Sequence, residues 1–124
     1  EVARRRALAD MGCNLPQTIG DLVVDTCAEG VSVLSKQNVA TGKNMAGDAA
    51  YGLAAQLLAA KLNITAGADF CPAVTTAITA AQNLLDGIGF VGTGSYLKSP
   101  SANRTLANSL AATLDSYNNN TLCP

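Results

Sequence analysis

Apolar positions recur at helical spacing in four stretches of the chain. The clearest covers residues 44–62, "NMAGDAAYGLAAQLLAAKL". Tyr51, Ala55, Leu58 and Leu62 make one stripe along it, and Ala49, Leu53, Leu57 and Ala60 make another. A helix that is apolar on nearly every side belongs at the centre of a bundle. Upstream, Val24, Cys27, Val31 and Leu34 predict a helix over about residues 26–36, in preference to a strand through "VSVLS", with Asp25 or Thr26 as its cap. "NITAGAD" interrupts the pattern, and Pro72 then opens a third helix at the position where proline's missing N–H costs nothing. Val74, Ile78, Ala81, Leu85 and Ile88 mark its buried face. A fourth helix starts near Ser99-Pro100, with Ser99 as cap and Leu106, Leu110, Leu114 and Tyr117 facing inward. Residues 1–11 read as one or two helical turns stopped by Gly12, and "NLPQTIG" reads as a loop because Pro16 disfavours helix at Leu15. The expected architecture is all-α, a small bundle of about four main helices over residues 21–124, preceded by an N-terminal segment and loop over residues 1–20.

The stretch "LDGIGFVGTGSYL" carries Gly87, Gly89 and Gly92 in the G-x-G-x-x-G spacing of dinucleotide sites. Those sites need a strand before the glycines and a helix opening on them. Here an amphipathic helix precedes, and the next helix waits until after Pro100. Gly87 or Gly89 is therefore expected to end the third helix in a left-handed conformation. Phe90 and Val91 should fold back onto the bundle, and Gly92 and Gly94 should form the loop.

Cys13, Cys27, Cys71 and Cys123 form an even set with no C-x-x-C pair, in a chain with no histidine. Zinc and thioredoxin-like redox chemistry are disfavoured, and two disulfides in an oxidising compartment are expected. Three pairings are possible. The short link between the third and fourth helices favours packing them antiparallel, which brings Cys71 to Cys123 and leaves Cys13 for Cys27. Three sequons, at Asn63, Asn103 and Asn119, are possible glycosylation sites of a secreted chain. A start at Glu1 rather than Met is what a processed chain would show.

Composition narrows the function. The 124 residues carry a net charge of −1, so a nucleic-acid partner is not expected; Arg4-Arg5-Arg6 is the one basic run. No apolar run is long enough for a membrane span. Only 14% of the residues are charged and 4% are aromatic, with no Trp. A core of Leu, Ile, Val and Ala is thin, which adds weight to the disulfides. Without histidine there is no imidazole acid or base. Asp21 and Asp25 are the close acid pair and read as a solvated helix start; Asp48 falls in a helix's first turn, and Asp86 and Asp115 read as surface acids. No catalytic residue, metal ligand or cofactor is expected.

"GLAAQLLAAKLNITAGA", "CPAVTTAITAAQNLLDGIGF" and "LAATLDSYNNNTLCP" together resemble an Ala/Leu-rich helical module found near the C-terminal ends of large secreted or cell-surface bacterial proteins. "RRRALADMGC" lies outside the resemblance. The resemblance implies an extracellular place and a structural or interaction role, and carries no catalytic residue. The expected function is thus a non-enzymatic module of a cell-surface or filamentous assembly, with protein partners or self-association. The alternative is a small-ligand or glycan-binding module, in which Phe90 and Tyr96 of the residue 87–98 loop form a shallow platform. A secreted-enzyme inhibitor ranks third.

Overall fold

The computed structural model describes residues 12–123. The expected helical turns over residues 1–11 and the Arg4–Arg6 run lie outside the described residues. A short 3₁₀ turn, Gly12–Asn14, leads into strand β1, Gln17–Ile19, and strand β2, Leu22–Val24. Four helices follow: α1 Cys27–Leu34, α2 Ala49–Thr65, α3 Pro72–Gly87 and α4 Ala102–Asn118. The fold is a small, mainly helical bundle, as the apolar spacing predicts, with a two-stranded hairpin added.

Helix α2 is the axis of the bundle. Leu53, Leu57, Leu58, Ala60 and Leu62 are completely buried, and α4 makes its most extensive packing against this helix. Its small residues let α1, α3 and α4 approach from three sides. Asp48 is its N-cap, so residues 44–47 stand outside the helix, and the C-terminal end runs on to Thr65. Ser101, rather than Ser99, caps α4 by accepting the Arg104 N–H. Thr26 caps α1, and Glu29 reaches back to the Thr26 hydroxyl and the Asp25 N–H.

Further expectations need correction. The segment read as a loop contains β1, which pairs antiparallel with β2 in the register Gln17 to Val24, Thr18 to Val23 and Ile19 to Leu22. Val24 is thus a strand residue, and the hairpin crosses the boundary drawn at residue 20. Helix α1 turns Gly30 and Val33 inward, while Cys27 is exposed and Val31 is 45% exposed, since an eight-residue helix offers more than one apolar face. On α4, Leu106 is 47% exposed and Ala107 takes the buried position.

The glycine-rich stretch behaves as a helix stop. Gly89, at φ 70°, is the left-handed residue; its N–H donates to Asp86 O, and the Phe90 N–H donates to Leu85 O. These two bonds form the Schellman closure and turn Phe90 back into the core, where it is 1% exposed. Val91 does not follow it and is 43% exposed. Gly92, at φ 82°, is a close-approach point. A Cβ there would sit 2.9 Å from Val39 Cγ2 and 3.0 Å from Leu22 Cδ2.

Candidate functional site

The four cysteines form the pairs that the antiparallel layout favours. Cys13 joins Cys27 and Cys71 joins Cys123, each with Cα atoms 5.7 Å apart, and none is free. The second bridge ties the N-cap of α3 to the tail that follows α4. Beside it, the buried Tyr117 hydroxyl donates to Asp69 O at 2.6 Å. That phenol has its pKa raised by burial and by the Asp69 charge.

The other end of the bundle, where α2 begins, is organised around Asp48. Its side chain is 1% exposed. Oδ1 accepts the N–H groups of Ala50 and Leu97, each at 3.0 Å, and Oδ2 accepts the Tyr96 N–H at 2.8 Å. One carboxylate thus caps α2 and holds the chain between α3 and α4 down on the core. A carboxylate taken out of water is tolerable here because three backbone donors replace its hydration. Arg104 grips the same chain from above. Its Nη1 donates to Leu97 O at 2.7 Å, Lys98 O at 2.8 Å and Gly47 O at 3.3 Å.

Beneath this clamp, three rings pack together. Tyr51 meets Phe90 edge-on with centroids 5.2 Å apart and 78° between planes, and Tyr96 lies 5.2 Å from Phe90 and 6.0 Å from Tyr51. Tyr51 donates to Gly94 O at 2.8 Å, Tyr96 donates to Thr93 O, and the Val91 N–H donates to the Tyr96 hydroxyl. The Tyr51 phenol is pushed up to about 12 by burial first, and then by the Tyr96 and Asp48 charges. The rings pack on the bundle instead of standing side by side in solvent as the alternative, a ligand platform, would require. Phe90 is interior and Tyr96 is half-buried, since the Schellman turn aims Phe90 inward and Asp48 pins the Tyr96 backbone.

Of the remaining candidates, Asp86 and Asp115 are exposed, as expected. Asp25 partners Glu29 rather than Asp21. A hydrogen bond to Glu29 and then the Glu29 charge raise the Asp25 pKa, while the hydrogen bonds that Glu29 receives from Asp25 and Thr26 lower its own. Among the sequons, the half-buried Asn63 donates its Nδ2 to Asn118 Oδ1, and Asn119 Nδ2 donates to Asp115 O and Oδ1. Asn103 is exposed on the first turn of α4.

A polar clasp not foreseen in the sequence fastens the hairpin. Lys61 Nζ donates to Thr18 O at 2.6 Å and to Gln82 Oε1 at 3.0 Å, while Gln82 Nε2 donates to Gly20 O at 3.1 Å. Burial lowers the Lys61 pKa, and the Asp86 charge opposes that shift. Among the described residues, no helix is long and apolar enough to cross a membrane, and no cluster of three His, Cys, Asp or Glu side chains is placed to hold a metal. No known protein family, curated protein or solved structure matches this chain.

Proposed function

We propose that this domain is a non-enzymatic structural or interaction module of an extracellular or cell-surface assembly. The observation that carries the reading is the pair of disulfides, which account for every cysteine. Bridges of this kind persist in oxidising compartments, and small domains with thin cores use them where burial alone does not suffice. The resemblance of the helical segments to modules of secreted bacterial proteins points the same way. Both oxygens of the buried Asp48 carboxylate are taken up by backbone N–H groups, which suits holding a loop rather than moving a proton. Where the chain is glycosylated, we place the sugar on the exposed Asn103, since the other two sequon amides are engaged in hydrogen bonds.

The test is the mass and assembly state of native material before and after reduction. A large assembly whose subunits weigh four hydrogens less than the thiol form is the expected result. A protein that stays monomeric at high concentration excludes the self-assembling form, and free thiols in native material exclude the extracellular placement.

A further inference from the structure

Positive charge gathers at the end of the bundle where α2 begins. Residues 35–48 and 91–104 carry Lys36, Lys43, Lys98 and Arg104, and their sole carboxylate, Asp48, is buried. Within this surface lies an open cleft of about 230 Å³ lined by Lys43, Asn44, Met45, Gly47, Asp48 and Lys98. We propose that this cleft binds an anionic group, phosphate or carboxylate, carried on an extracellular polymer.

Three features support the assignment. First, the walls are fixed in advance. Asp48 holds the backbone of Tyr96 and Leu97 beside the start of α2, and Arg104 bonds Gly47 O on one wall and Lys98 O on the other. A ligand that enters a preformed cleft avoids the cost of ordering its walls. Second, the charge balance is favourable. Lys43 and Lys98 line the cleft and Arg104 bridges its walls, against one carboxylate whose oxygens already accept three N–H groups. Third, the size fits one charged group. Drug-sized sites run to roughly 300–1,000 Å³, and this cleft is smaller. Gly47 leaves it open, since a Cβ at that position would meet nothing within 4 Å. Lys36 adds charge at the same end of the bundle, so repeated anionic groups on a polymer gain from more than one contact.

The polymer's extracellular location rests on the proposed placement, while the site itself goes beyond the assembly reading, since a monomer would carry it equally well. Binding of polyphosphate and of polygalacturonate to the whole chain at low salt, followed by calorimetry, tests it. Wild type should bind at least one of them, with affinity falling as salt rises. Preference for polyphosphate identifies a phosphate site, and preference for polygalacturonate a carboxylate site. K43Q with K98Q should weaken binding at least tenfold, as should G47E, which places a carboxylate in the cleft. Both lysines are exposed, so unchanged thermal melting is expected to accompany the loss. Wild type that binds neither polymer overturns the proposal. So do cleft variants that bind as wild type does, including the case in which only removal of Arg4–Arg6 abolishes binding.

Discussion

The two ends of the bundle solve one problem by different chemistry. At the end where α2 finishes, irregular chain is held by sulfur. Cys71–Cys123 anchors the tail, and Cys13–Cys27 anchors the chain before the hairpin. At the end where α2 begins there is no cysteine. The loop from Phe90 to Lys98 is held instead by a buried carboxylate, a guanidinium on three carbonyls and a cluster of three rings. The difference follows from what each segment offers. Among the described residues the tail after α4 is short and polar, with Leu122 and Cys123 as its apolar contacts, so the covalent bond is its strongest attachment. The loop crosses the top of the core with Phe90, Tyr96 and Leu97, and can bury area and satisfy its own backbone.

Reduction should separate the two ends most sharply. Loops of 14 and 52 residues are closed by the bridges. In the chain-entropy model their joint loss costs about 7 kcal/mol, a large part of a small domain's stability. Urea unfolding with and without reductant measures it. A loss below about 2 kcal/mol would mean that the hydrogen-bonded end carries the fold.

Asp48→Ala attacks the opposite end. It strands the N–H groups of Ala50, Tyr96 and Leu97 in the interior and should cost about 4 kcal/mol by the same measurement. Asp48→Asn keeps one acceptor and should cost about half as much. An effect below 1 kcal/mol would make the sulfur end dominant.

Gly92→Ala forces a side chain onto Val39 and Leu22 at a positive φ, for an expected loss of about 3 kcal/mol. Hydrogen exchange should show the Val39 amide, which donates to Gly92 O, losing protection first.

The smallest effect is alkaline. The Tyr51 phenol rises from 10 to about 12, so the folded state holds its proton more tightly than the unfolded chain. That contribution is complete below pH 10 and disappears as pH climbs through 12, removing about 2 kcal/mol. Tyr51→Phe should remove the Tyr51 share of this step in a pH-dependent melting series and leave the smaller alkaline loss from Tyr117, whose pKa is also raised.

Much of the helical frame is legible in the sequence. Apolar spacing locates α2, α3 and α4, Pro72 marks the start of α3, and an antiparallel α3–α4 layout favours, among three possible pairings, the one that forms. The hairpin was legible too, in Gly20-Asp21 between "QTI" and "LVV", a two-residue turn with glycine first. Pro16 gives the segment a loop-like pattern, and three-residue strands carry little periodicity. Helix α1 spans 8 residues, so its apolar spacing fits more than one face. The clamp at Asp48 could not be read locally. An aspartate at a helix start ordinarily faces water, and what buries this one is chain 48 and 49 residues away. Arg104 likewise looks like a surface cation until its three carbonyl partners are in place.

The Cys71–Cys123 bridge also sets a mechanical path. A pull on the chain at Cys123 does not peel α4 from the bundle turn by turn. It crosses the sulfur bond to Cys71 and enters the turn after α2, so the 52-residue interval holding α3, the clamped loop and α4 is taken out of the line of tension. Of the cationic cleft's lining, Lys98 belongs to that interval, while Lys43 to Asp48 lie on the chain before Cys71 and remain in the line of tension. A chain built this way carries load through α1, α2 and the sulfur bond, while α3, the clamped loop and α4 stay slack.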